Sequence, residues 1–276
     1  MREYKMVCSD IDGTLLSSEY ALSSENLAAM EQLMAQGIWF VPSTGRTFSE
    51  VPEKIRTHPF IRYYIYSNGA VVFDKLANRY HRTCICNAVS QQILEILNRY
   101  ETHISVRHNG DCCVDAAYAN KEAFDYYNVC EAHQVVVNAF SVLCENFREY
   151  CQHADEVEVI SVFFHRYDDL LEARRKLEDL GGLRVVGVSE YNLEIMNAQA
   201  GKGNALLWLA QQLDIDRKNT ISVGDTDNDQ SIIEAAGLGL AVSNACERLK
   251  TVADEVICSN DEHAIAYILS HYFMAE

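Results

Sequence analysis

Proline is scarce in this chain: only 3 of 276 residues, Pro42, Pro52 and Pro59. With 49% of residues apolar, that excludes Pro-rich linkers and long disordered stretches and favours a packed core. Long apolar runs are missing too, and nothing approaches the ~18 consecutive apolar residues of a membrane span. The 10 cysteines form no C-x-x-C pair and several sit in strand-like runs (Cys8, Cys84, Cys86), so they read as idle or buried thiols rather than as metal ligands or disulfides. Positive charge is in short supply, 23 basic against 40 acidic residues, for a net charge of −17. A surface so balanced repels nucleic acid and anionic lipid, which makes both poor partners. It also repels phosphorylated metabolites at long range, so any phosphate site must be a local assembly of metal, lysine and backbone N–H groups. The start reaches Asp10 too soon to leave room for a signal-peptide apolar region, and a cytoplasmic location is expected.

What is present reads as alternating strands and helices. Tyr4 to Ser9 is an apolar run ending at Asp10. Ser23 or Ser24 caps a helix whose apolar positions Leu27, Met30, Leu33 and Met34 recur until Gly37. Ile38 to Pro42 is strand-like and ends at Ser43-Thr44-Gly45-Arg46; Tyr63 to Tyr66 ends at Ser67-Asn68-Gly69. Short connections of this kind imply right-handed crossovers and a parallel sheet, with ligands collecting beyond the carboxyl ends of the strands. From about Arg82 the character changes. A helix over Ala88 to Tyr100, an Asn109-Gly110 hairpin signal, a strand over Glu158 to Phe164, a helix over Asp168 to Leu180 and a strand over Leu183 to Val188 suggest an inserted α+β unit. Arg107, His108 and Asn109 at the hairpin are candidate substrate contacts, although the pattern favours a solvated tip. After Tyr191 the sheet pattern resumes: Leu193-Glu194-Ile195, a helix from Asn204, strands at Thr220 to Val223 and Leu238 to Val242, and a closing helix over Asp261 to Tyr272. The expected fold is therefore α/β, a doubly wound parallel sheet over 1–81 and 187–276 with an α+β domain inserted at 82–186.

Four clusters carry chemistry. Asp10-Ile11-Asp12-Gly13-Thr14 follows a strand and places two carboxylates on one tight loop, one suited to attack phosphorus or hold a metal, the other to handle a proton. An Asp-Gly turn that merely leaves a strand looks the same. Asp225-Thr226-Asp227-Asn228-Asp229, also after a strand, is an oxygen-rich set suited to Mg²⁺. A calcium EF-hand fails there, because Gln230 stands where Gly is needed and Ala236 where a bidentate Glu is needed. Thr44-Gly45-Arg46 offers a hydroxyl and backbone N–H groups at an expected helix start, a phosphate cradle or a simple cap. Gly201-Lys202-Gly203 brings an ammonium ahead of a helix. It is no Walker A loop, since Gly203 follows the lysine where Ser or Thr is required, and an exposed turn is the alternative.

In this order the clusters resemble the haloacid dehalogenase superfamily, most closely its Cof-type phosphatases, which carry a cap domain after the third core strand. The resemblance spans the chain: D-x-D-G-T at Asp10, T-G-R at Thr44, S-N-G-A at Ser67, Lys202, G-D-x-x-N-D at Gly224 and A-V-S-N-A at Ala241. The chain departs from the family where Asn197 and Gly201 replace a common proline and serine. The resemblance implies that Asp10 is a nucleophile forming a phospho-aspartate and Asp12 the general acid and then base. It implies Mg²⁺ held by Asp10, the Asp12 carbonyl and Asp225, supported by Asn228 and Asp229. Thr44, Gly45 and Lys202 would hold phosphoryl oxygens, with Arg46 and Asn68 in support. The implied substrate is a small phosphate ester, by family habit a sugar phosphate. A phosphosugar mutase of the same superfamily is one alternative. A phospho-accepting signalling receiver is another, though it has no use for Asp12 or for so long an insertion.

Overall fold

The computed structural model describes residues 3–187 and 189–274. The chain divides into two compact units: Met1–Gly45, Pro52–His81 and Gly201–Glu276 form the first, and Arg46–Val51 with Arg82–Ala200 the second. Among the described residues no helix is long and apolar enough to cross a membrane.

The first unit is built on five parallel strands in the order Glu255–Ile257, Leu238–Val242, Thr220–Gly224, Met6–Ser9, Trp39–Pro42. Met6–Ser9 and Thr220–Gly224 are buried at every position, as continuous apolar runs in a sheet covered on both faces should be. Helices pack in two pairs, Ser24–Ala35 with Ala264–Tyr272 and Lys202–Gln212 with Gln230–Ala235. The Ser23 cap is formed, its hydroxyl accepting from the Asn26 N–H at 3.1 Å. Tyr63–Tyr66 touches the parallel sheet through one bridge, Ser43 to Ile65. Its full ladder is instead antiparallel to Val71–Asp74. The cause is local: Ser67, Asn68 and Gly69 take φ of 50°, 55° and 85°, a left-handed run that turns the chain straight back.

The second unit holds a six-stranded sheet in the order Leu183–Val186, Asn192–Asn197, Val159–Phe164, Thr102–His108, Asp111–Asp115, Val142–Cys144, antiparallel except for the last pair. Side chains alternate across it. Val106, Ile160, Val162, Phe164, Leu193 and Ile195 join a core with Ile93 and Leu97 of helix Asn87–Leu97 and Leu170 and Leu177 of helix Tyr167–Asp179. Many of the alternate positions are polar and still buried, His103, Ser105, Arg107, Ser161, Asn192 and Glu194 among them, beside a smaller apolar cluster around Phe163 and Phe124. The Asn109-Gly110 hairpin forms as expected, with φ of 54° and 81°.

Two boundaries move. Leu193-Glu194-Ile195, expected to restart the parallel sheet, pairs antiparallel with Val159–Phe164 and supplies the second unit's core, so that unit runs to Ala200 rather than 186. The six residues Arg46–Val51 also belong to it. Of the strand expected over Leu183 to Val188, Leu183–Val186 is formed and Val188 lies outside the described residues.

Candidate active site

The strand order puts Met6–Ser9 between Trp39–Pro42 and Thr220–Gly224, so the loops following these three strands gather at one end of the sheet. Asp10 is the first residue past the central strand, with its N–H bonded to the Val223 carbonyl at 3.0 Å. It is 6% exposed. Gly13 reverses the loop at φ 70°, and a Cβ there would run into the Asp225 carboxylate. Thr14 then directs its hydroxyl at Asp225 Oδ1, 3.4 Å away.

Lys202 joins the carboxylates. It is the first residue of helix Lys202–Gln212, and its Nζ lies 2.6 Å from both Asp10 Oδ1 and Asp229 Oδ1. The lysine is 1% exposed, so the exposed-turn alternative fails. The neighbouring Gly203 has its own reason: a Cβ there would strike the Ser231 carbonyl on the paired helix. Asp229 uses its second oxygen to accept from the N–H groups of Asp225 (3.1 Å) and Thr226 (3.2 Å), which holds the loop after Gly224.

The electrostatics follow from burial. Loss of water, reinforced by the Asp229 charge, pushes the Asp10 carboxyl well above the usual carboxylate range against the pull of Lys202. Burial and Asp229 likewise push Asp225 up to about 6. For Lys202, burial favours the neutral amine, but Asp10 and Asp229 overcome it and raise the pKa. Asp10, Asp225 and Asp229 each offer an oxygen within 4.8 Å of the others. Three carboxyl groups against one ammonium are an excess of hard oxygen donors whose charged forms disfavour one another, a set that a divalent cation fits. Both Asp229 oxygens already accept hydrogen bonds, from Lys202 and from the Asp225 and Thr226 N–H groups.

Thr44 lies beyond the neighbouring strand and is 2% exposed. Its N–H bonds the Ile65 carbonyl at 2.9 Å, and its carbonyl accepts from the Asn68 N–H at 3.0 Å. A Cβ on Gly45 would lie 2.9 Å from Asn68 Oδ1 and 3.5 Å from Asn228 Nδ2. Those two amides are themselves bonded at 3.3 Å, so Thr44-Gly45, Asn68 and Asn228 form one cluster. The helix expected after Arg46 is absent. Bends and a turn run on to Pro52, and only the short helix Glu53–Arg56 follows. Arg46 belongs to the second unit, where its Nη1 donates to the Glu50 carbonyl at 2.9 Å.

A family model for haloacid dehalogenase-like hydrolases matches residues 7–269. The chain belongs to that family. A relative that covers 97% of this chain and 99% of its own length, Phosphatase YwpJ of Bacillus subtilis strain 168, is 34% identical. A second Bacillus subtilis relative, 25% identical over 99% of this chain and 97% of its own, is named 5-amino-6-(5-phospho-D-ribitylamino)uracil phosphatase YcsE. The structure of a haloacid dehalogenase-like hydrolase from B. subtilis superposes with a TM-score of 0.78 at 31% identity, covering 98% of this chain and all of that one. This haloacid dehalogenase-like protein is thus a phosphatase, with a parallel α/β sheet domain as expected.

Sequence reasoning missed part of the support. Asn244, noted only within A-V-S-N-A, donates to the Gly13 carbonyl at 2.8 Å and accepts from the Asn260 N–H at 2.9 Å. Asn260 donates to the Leu16 carbonyl at 3.0 Å, so two asparagines hold the D-x-D-G-T loop in shape. Asn244 had a motif to betray it; Asn260 had none. Arg107 is no solvated tip either: it is 9% exposed, with Nη2 at 3.0 Å from Glu194 Oε1.

Proposed function

We propose that this phosphatase is Mg²⁺-dependent and hydrolyses small sugar or polyol phosphates through a phospho-aspartate on Asp10. The observation that carries the reading is the buried Lys202 ammonium bonded to both Asp10 and Asp229. A carboxylate attacking a phosphate dianion meets like-charge repulsion, and a fixed ammonium at the nucleophile reduces it without reorganisation. Asp10, the Asp12 carbonyl and Asp225 would hold the cation, whose charge adds to that of Lys202 on the phosphoryl oxygens. Thr44 and Gly45 hold the remaining oxygens, with Asn68, Asn228 and Arg46 in support. An Asp10 oxygen bonds to phosphorus as the ester P–O bond breaks, and the Asp12 carboxyl gives its proton to the departing alkoxide. Asp12 then takes a proton from water, which attacks the same phosphorus, frees inorganic phosphate and restores Asp10. The relative named for a phosphoribityl compound supports a polyol phosphate substrate.

A panel of phosphorylated metabolites assayed with Mg²⁺ identifies the substrate. Asp10→Asn keeps the size of the side chain but cannot attack phosphorus. Hydrolysis of p-nitrophenyl phosphate should fall by several orders of magnitude with an unchanged circular dichroism spectrum. Activity within about tenfold of the unmodified enzyme sinks the phospho-aspartate, and full activity of EDTA-treated protein sinks the metal.

A further inference from the structure

The turn that follows Gly45 is more elaborate than a connection needs. Thr47-Phe48-Ser49-Glu50 has the T-x-x-E spacing of a capping box. The Glu50 side chain reaches back so that Oε2 accepts from the Thr47 N–H at 2.9 Å, yet no helix follows. The Glu50 N–H returns to the Thr47 carbonyl at 3.2 Å, Val51 N–H bonds Phe48 O at 3.3 Å, and Arg46 Nη1 bonds Glu50 O at 2.9 Å. The Ser49 N–H then fastens the turn to the Gly110 carbonyl at 3.0 Å, and the Gly110 N–H donates to the buried Glu158 at 2.7 Å. Glu50 is 2% exposed, its Oε1 has no hydrogen-bond partner, and its charge acts on Arg107. A serine or asparagine closes a surface turn without burying a carboxylate that is half unsatisfied. Glu50 therefore does more than close a turn.

We propose that Glu50 is a positioning residue for the phosphate loop Thr44–Gly45. The loop's entry is fixed by backbone bonds from Ser43 to Ser9 (2.8 Å) and from Thr44 to Ile65 (2.9 Å). Its exit is the Gly45–Arg46 peptide, and the conformation of that peptide is set by the turn that Glu50 locks. Loss of the lock frees the exit and loosens the grip on a phosphoryl group, in the ground state and transition state alike. The inference rests on Thr44 and Gly45 holding phosphate.

Steady-state hydrolysis of p-nitrophenyl phosphate, with inorganic phosphate as competitive inhibitor, tests it. Glu50→Ala should raise KM and the phosphate inhibition constant together by about tenfold, with kcat within about threefold. Glu50→Gln should bring KM back to within about threefold of the unmodified enzyme, because the amide oxygen still accepts from the Thr47 N–H. Thr44→Val should raise KM by itself, and Thr44→Val combined with Glu50→Ala should lose less than the product of the two effects. If Thr44→Val leaves KM unchanged, the phosphate-loop reading falls and takes this inference with it. If Thr44→Val raises KM while Glu50→Ala does not, or the two effects multiply, only the positioning role is overturned. Should Glu50→Ala fail to fold, Glu50→Asp, one methylene too short for Thr47, must raise KM in its place, and an unchanged KM overturns the proposal.

Discussion

At the scale of single residues, the site is a contest between burial and charge that Lys202 decides. Two carboxylates share its buried ammonium at 2.6 Å. Removing one partner of such a cluster leaves charge buried without compensation, which costs about 3–5 kcal/mol. Lys202→Met, similar in length but neutral, should therefore lower the unfolding free energy by about that much at pH 8, read from denaturant titration. A loss below about 1 kcal/mol would mean that the ammonium contributes to phosphate binding alone. Identity and order of these residues were legible in the sequence, because D-x-D-G-T, the lone lysine and G-D-x-x-N-D each name a chemical type at a strand or helix end. Their partnerships were not. That Asp229 spends both oxygens on Lys202 and on the N–H groups of Asp225 and Thr226, and so serves as scaffold, depends on distances no spacing encodes.

Secondary elements show the same division. Helix Ser24–Ala35, the Asn109-Gly110 hairpin and four of the five strands of the parallel sheet were readable because periodicity and turn chemistry agree, while the short edge strand Glu255–Ile257 was missed. The strand Asn192–Asn197 was misplaced because Leu193 and Ile195 carry no mark of which sheet they join; the core beneath them decides. The helices Lys121–Tyr126, Glu131–Phe140 and Phe147–His153 went unread, each being short and ordered by packing. Helix pairing in the first unit gives a sharp expectation. Gly203→Ala gains up to about 1 kcal/mol of helix propensity but drives a methyl group into the Ser231 carbonyl. Backbone cannot step aside, so overpacking wins and the protein should lose about 1–3 kcal/mol; a rise in Tm would refute the close approach. On the second face of the sheet in the second unit, His103 lies against Phe124, and His133 of helix Glu131–Phe140 packs over that face against Phe163, close to Arg107. Burial lowers His103 from 6.5 to about 4, and burial with Arg107 lowers His133 to about 3. Below pH 6.5 the unfolded chain binds protons that the folded chain refuses, so stability is present above that value and drains away as pH falls toward 4. The slope is about 1.4 kcal/mol per pH unit for each histidine, and replacing both with Phe should flatten it. An unchanged acid limb in the double variant would show that other groups set it.

For the whole molecule the governing number is the net charge of −17. In the proposed mechanism a phosphate dianion would approach against that field and be held by local groups: Lys202, the cation and the Thr44–Gly45 loop. Raising salt from about 10 to about 150 mM shortens the screening length from ~30 to ~8 Å, which removes the distant repulsion and spares contacts at the site. The value of kcat/KM for a dianionic ester should accordingly rise severalfold across that range, at fixed free Mg²⁺. A fall instead would mean that attraction at the mouth of the site outweighs the total charge.

The central place of Met6–Ser9 in the sheet has a consequence in time. Its neighbour Thr220–Gly224 is made long after it. At a synthesis rate of about 5–20 residues per second, the strand bearing Asp10 leaves the ribosome roughly ten to forty seconds before the strand that completes its ladder. Over that interval its hydrogen-bonding edge stands open, and Cys8 and Val7 lack the layer that buries them. The stretch 82–200, contiguous in the chain, holds all six strands of its own sheet and needs nothing made later to close it. The strand that leads into Asp10 is thus made first, and its ladder can be completed only after the whole second unit has been synthesised.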